Sequence, residues 1–205
     1  MKKMLLVAAV LLAAGANVFA QGVRIGVKAG GNLSSVNYSE KVEGLKSKPG
    51  FQLGVTADYQ LAGNLLLLSG LEIVQKGWKL EVNSEYSRVK TTASPLYLQL
   101  PVHIGYKIDL GAVQLVPQAG PYIAYGLGGK ASYDDEDQSD KSDYFGKENN
   151  VKRLDFGIGA GIGVEFGKIG VNLGYDLGLA NIIDKKEGTE SIKNASLFLN
   201  LGYKF

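Results

Sequence analysis

RLDFGIGAGIGVEFGKIGVNLGYDLGLA, residues 153–180, is the stretch whose reading decides the fold. Leu154, Phe156, Ile158, Ala160, Ile162, Val164 and Phe166 alternate with Arg153, Asp155, Gly157, Gly159, Gly161, Gly163 and Glu165. Beyond Gly167 and Lys168, Ile169, Val171, Leu173, Tyr175, Leu177 and Leu179 alternate with Gly170, Asn172, Gly174, Asp176, Gly178 and Ala180. A period of two on both sides of a tight turn is an antiparallel hairpin. One of its faces is wholly apolar; the other is glycine with scattered charge. A two-sheet sandwich buries its bulky row and shows polar side chains to water. A membrane barrel turns the bulky row to lipid and encloses the glycines and charges.

The same period recurs along the chain. Val23, Ile25, Val27 and Ala29 form a first strand, and Phe51, Leu53, Val55, Ala57, Tyr59 and Leu61 a second. A third runs over 65–77. If Glu72 and Lys76 point inward there, so do Leu66 and Leu68, which then make a small apolar plug beside the 62–64 turn. The fourth and fifth strands carry Leu96 to Ile108 and Val113 to Leu127 on their apolar rows. They contain Pro101, Pro117 and Pro121, each of which lacks a ladder donor and predicts a bulge or an unpaired position. Leu197, Leu199, Leu201, Tyr203 and Phe205 close the chain as the eighth strand.

Eight strands leave short connections at 62–64, 109–112 and 167–168. Polar loops are expected at 31–49, 78–93, 129–150 and 181–192, with Leu80, Val82 and Tyr86 able to lengthen the strands that flank the second. Short turns on one side, long loops on the other and an even strand number are the plan of an all-β, eight-stranded, antiparallel up-and-down transmembrane β-barrel. In lipid every amide must pair within the protein, so such a sheet has to close. Arg24, Lys28, Asp58, Glu72, His103, Lys107, Arg153, Asp155, Glu165 and Asp176 then fall inside, tolerable only if they pair or meet trapped water. Eight strands leave an interior that side chains fill or that holds one small ligand, so a filled lumen is expected rather than an open channel. A lipocalin-like soluble barrel would invert the faces, and its lumen would be overfull with a bulky row from every strand.

Composition agrees. Glycine, at 28 residues, is about twice its usual share. Eleven tyrosines against seven phenylalanines and one tryptophan suit a water boundary. There is no cysteine, hence neither a disulfide nor a cysteine metal site. The net charge of +2 comes from Lys2 and Lys3, so nothing points to nucleic acid. Those lysines open residues 1–20, whose apolar run and small residues before 21 read as a secretory signal peptide, with 21–205 as the barrel domain.

Chemistry-bearing motifs are sparse. His103 is the sole histidine and stands in no nucleophile motif, so it reads as a lumen residue bonded to a carboxylate or tyrosine, and the chain as a non-enzyme. Seven carboxylates between 133 and 148 face only Lys141 and Lys147; they lack the spacing of an EF-hand and read as solvated surface. No cofactor or metal site is expected.

Four segments carry a family resemblance: Gly26–Leu33, Gly50–Gly54, Leu96–Val102 (LYLQLPV) and Asp155–Gly161 (DFGIGAG). With them the chain from 21 to 205 resembles the small outer-membrane β-barrels common in Bacteroidetes (PorT-like), and its architecture is similar to OmpX-like barrels. The resemblance implies outer-membrane location with both termini periplasmic, contact with outer-membrane lipids and lipopolysaccharide, and insertion by the barrel assembly machinery. It makes Tyr203 and Phe205 the insertion signal. It implies no activity. Function is therefore expected to be a structural or interaction role through the loops, with a small-solute pore or ligand-holding barrel as the alternative.

Overall fold

The computed structural model describes residues 22–38, 42–84, 87–134, 139–146, 149–183 and 191–205; the expected signal peptide lies outside them. Eleven strand segments follow in order: β1 (Val23–Asn37), β2 (Leu45–Ala62), β3 (Leu65–Gln75), β4 (Trp78–Ser84), β5 (Ser87–Tyr106), β6 (Ile108–Asp109), β7 (Gln114–Asp134), β8 (Ser139–Asp143), β9 (Leu154–Phe166), β10 (Ile169–Gly178) and β11 (Lys193–Lys204). They make eight staves. β4 prolongs β3, because both pair with β5 and β2; β6 prolongs β5 along β7; and β8 is an outer flap on β7. The neighbours run β1, β2, β3, β5, β7, β9, β10, β11 and back to β1, all antiparallel. The sheet is closed, and among the described residues no stave is left with an open edge.

Register fixes its shape. From Val23, successive partners are Tyr59, Leu67, Ile104, Ala119, Ala160, Tyr175 and Leu197, and the path returns to β1 at Leu33, ten residues further on. For eight strands, a stagger of ten residues means a tilt of roughly 40°. The thirteen residues of β9 then rise about 30 Å, the thickness of a hydrocarbon layer.

The faces are as the alternation requires. Ile158, Leu173 and Leu199 are 51%, 48% and 56% exposed, whereas Asp155 and Asp176 are 0% and 3%. A soluble barrel would show the opposite. Each short turn carries a glycine in the left-handed region, Gly63 (φ 52°), Gly111 (φ 86°) and Gly167 (φ 57°), as tight hairpins demand. Leu66 is buried inside beside Leu68 and Val116, which crowd over Gly105, so the expected plug stands next to the 62–64 turn.

The prolines leave unpaired positions without a bulge. The β5–β7 ladder skips from Pro101↔Tyr122 to Ile104↔Ala119 and stops at Gly105↔Gln118, so Pro121 and Pro117 have no partner there. The β3–β5 ladder skips the position of Pro101 in the same way. Register is unchanged across the gaps, and the Ser69 hydroxyl donates to the Pro101 carbonyl (2.8 Å), which occupies that acceptor. The one shift in the β5–β7 ladder falls between Leu96 and Tyr97.

The loops differ most from expectation. Residues 31–37 and 45–49 are strand, 78–93 is a hairpin of β4 and β5 apart from its tip, and β7 runs to Asp134 with β8 against it. Paired backbone satisfies its own amides, so polar sequence does not prevent strands from continuing past the lipid.

Candidate functional site

The lumen is the candidate site, and its charges lie in tiers. Nearest the turns, the Lys204 ammonium bridges Asp58 and Glu165 (2.5 Å to Glu165), and Arg24 reaches Glu165 at 3.8 Å. Lys107 stands half-exposed at the same mouth. At mid-height Lys28 pairs with Glu72 (2.6 Å), and Glu72 also accepts from Gln52 (2.9 Å). Asp176 accepts from Gln99 (2.8 Å). Toward the loops, Lys76 pairs with Asp155 (3.0 Å), which also takes a bond from Asn194 (2.9 Å). Beside them Ser34 bonds Asn32 and Ser196 (2.8 and 2.9 Å).

Nine of the ten expected lumen residues therefore line the interior or its turn-end mouth. Arg153 is the exception: it sits at the loop-end rim, donating to the carbonyl of Gly126 (2.9 Å) and lying over the Phe145 ring (4.9 Å). A carbonyl and an aromatic face hold Arg153, and the nearby Asp155 carboxylate is paired with Lys76 instead. His103 also departs from expectation. It faces Gln118, and its Nε2 has no hydrogen-bond partner. Lys76 points inward beside Glu72, as the third strand's parity requires, and Lys204, Gln52, Gln99 and Asn200 join the lumen network by the inward parity of their strands although the expected set of lumen charges does not include them. Charge alone selects too few residues, since three of these four are neutral amides, and Lys204 stands at a strand end where parity is easily discounted.

The loop end is sealed by a cap that no local signal announces. Tyr144 and Phe145, just after β8, fold into the mouth and pack with Ala93, Tyr97, Tyr122 and Ala124. Phe145 meets Tyr97 and Tyr144 edge-on (centroids 5.7 and 5.0 Å). The Lys76 ammonium lies over the Tyr97 and Tyr122 rings (5.3 and 4.5 Å) while it pairs with Asp155. Gly126 makes the room: a Cβ there would stand 2.2 Å from Phe145 Cζ. Gly174 accommodates the Phe198 ring likewise, at 2.4 Å.

Below the cap lies a cavity of about 120 Å³, lined by Lys28, Gln52, Glu72, Gln99, His103, Gln118, Asp176 and Asn200 among others. By size it holds several waters or one small molecule. Among the described residues no group of three or more His, Asp or Glu is placed to hold a metal ion. Of the acidic loop, Asp135, Glu136, Asp137 and Glu148 lie outside the described residues; Asp140 and Asp143 oppose Tyr133 and Lys130 on β7. The Tyr203 and Phe205 rings stack edge-on (5.5 Å) on the lipid face at the turn end.

The attachment invasion locus protein Ail of Yersinia pestis is 17% identical, with 90% of this chain and 99% of that one covered at a TM-score of 0.44. A major outer membrane protein from Thermus thermophilus is 15% identical, with 89% and 99% covered and a TM-score of 0.47. The outer membrane enzyme PagL is 14% identical, with 87% and 98% covered and a TM-score of 0.50. At 14% identity the PagL likeness speaks to fold alone. No curated protein matches the sequence. The family model described as outer membrane protein beta-barrel domain matches residues 19–184, and the chain, closed and lipid-faced as its register requires, belongs to that family.

Proposed function

We propose that this protein is a non-enzymatic outer-membrane barrel whose role is structural or interactive, exercised by the sheet that stands beyond the apolar band. The observation that carries this reading is the length of β4, β5, β7 and β8. On β5 the outward apolar row ends at Leu96, yet the strand continues to Ser87, roughly 30 Å further along its axis. β4 covers it on one side and β7 with β8 on the other. Val82 and Tyr133 are exposed there, on paired backbone that holds them in place. A rigid, partly apolar surface held clear of the membrane is suited to touching another envelope molecule.

In this reading the turn end and both termini are periplasmic, and the loop end is outside. Tyr203 and Phe205 serve the barrel assembly machinery as insertion signal, lipopolysaccharide surrounds the outer rim, and the chain is of the PorT-like type found in Bacteroidetes. The sealed loop end supports the filled-lumen reading over a small-solute pore.

The test is photo-crosslinking in cells from probes at Val82 and Tyr133, with Val171 on the lipid face as control. Discrete protein or lipopolysaccharide adducts from 82 and 133 alone are expected. Their absence, together with steady single-channel openings in a planar bilayer, would replace this reading with the pore.

A further inference from the structure

The middle of the lumen is short of donors, and the shortage is concentrated around one carboxylate. Asp176 is buried and takes a single bond, from Gln99. Among the described residues it makes no ion pair, whereas Asp58, Glu72, Asp155 and Glu165 each do. Gln99 and Gln52 commit their amide nitrogens to Asp176 and Glu72, which leaves both Oε1 atoms buried without a donor. His103 Nε2 and both amide atoms of Asn200 are buried and unpartnered as well. All four of these side chains are more than nine-tenths buried and line the cavity. Gly159 brings two of the groups together: a Cβ there would lie 2.6 Å from Asp176 Oδ1 and 2.9 Å from His103 Nε2.

We propose that this cavity is a binding site for a small protonated amine, between ammonium and methylammonium in size, seated against Asp176 and His103. An ammonium group brings one positive charge and three or four N–H donors, and the site offers one unpaired carboxylate with neutral acceptors around it. An anion would meet the Asp176 carboxylate, while the lysines on the cavity wall, Lys28 and Lys204, are already paired with Glu72, Asp58 and Glu165, and Asn200 Nδ2 offers it one neutral donor. An alkali cation would take the amide oxygens but gain little from the imidazole nitrogen, which is a good acceptor for N–H. A divalent cation needs more hard oxygen ligands than one free carboxylate provides. The cavity has room for a methylammonium, and a quaternary ammonium of similar charge lacks the N–H donors that the carboxylate and imidazole nitrogen call for.

The test uses the full chain refolded in nanodiscs, with NMR of the side-chain amides of Gln52, Gln99 and Asn200. It is titrated at constant ionic strength with methylammonium, potassium or choline chloride. Saturable shifts with methylammonium, absent with potassium and choline, are expected. Asp176→Asn should weaken the binding about tenfold or more; if that variant does not fold, Asn200→Leu is read in its place. No saturable response in the wild-type barrel would overturn the site, as would equal responses to methylammonium and potassium. Water alone in contact with these amides, undisplaced by the amine, would overturn it too.

Discussion

The two ends of the lumen solve the same problem differently. At the loop end, Lys76 and Asp155 are 2% and 0% exposed, wrapped in tyrosine rings and closed over by Phe145. At the turn end, Lys204 is shared between Asp58 and Glu165, Arg24 reaches the same glutamate, and Lys204 and Arg24 keep partial access to solvent. One end is a single dry pair, the other a wet, branched network. A dry pair is costly to break because the surviving charge has nowhere to go, whereas a branched network can rearrange and admit water.

The largest effect should therefore come from the dry pair. Asp155→Leu strands the Lys76 ammonium and should destabilise the folded barrel by about 3–5 kcal/mol in urea titrations. The double variant Lys76→Met/Asp155→Leu should recover most of that loss. Equal destabilisation by single and double variants would break the contrast.

Next comes the cap. Gly126→Val forces Phe145 off its seat and should cost about 1–3 kcal/mol. The same variant should raise ion conductance in planar bilayers over the wild-type protein. Unchanged conductance would place the seal elsewhere, at the Leu66, Leu68 and Val116 plug.

Lys204→Met at the wet end should cost about 1–2 kcal/mol, and less as salt is raised, since these charges are partly screened. A loss as large and as salt-insensitive as that of Asp155→Leu would make the two ends equivalent.

The smallest effect is expected beyond the membrane. There the Lys46 ammonium beside Glu81 holds the Glu81 carboxyl below the usual glutamate range, chiefly through their hydrogen bond. A carboxyl with a lowered folded-state pKa stabilises above its unfolded pKa, and that contribution fades as pH falls through the folded value. Lys46→Met should move the Glu81 titration back toward the ordinary range, read by NMR, with no measurable change in barrel stability.

Much of this was legible in the sequence because a two-residue period leaves little choice. The lipid row, the lumen row, the Leu66 and Leu68 plug and the unpaired prolines all follow from parity and from proline's missing N–H. The ion pairs do not follow from it. Lys204 meets Asp58 and Glu165 only because the register climbs ten residues per circuit, and that stagger is a sum over eight ladders that no single strand records. The height of the wall above the lipid was hidden for a different reason. Residues 78–93 keep strand pairing while losing the apolar row that marks strands inside the membrane. Tyr144 and Phe145 stand in aperiodic sequence, and the seat for Phe145 is made by Gly126 on β7, nineteen residues earlier.

Everything rests on which row meets lipid, and the absence of cysteine makes that direct to measure. Single cysteines at Ile158, Leu173 and Leu199, and at Thr56 and Asn172 in the lumen, are labelled with a small fluorophore in bilayers containing brominated lipid. Quenching by the lipid at 158, 173 and 199, with 56 and 172 protected, is the predicted result. Protection of the first three with quenching at the other two would contradict the account.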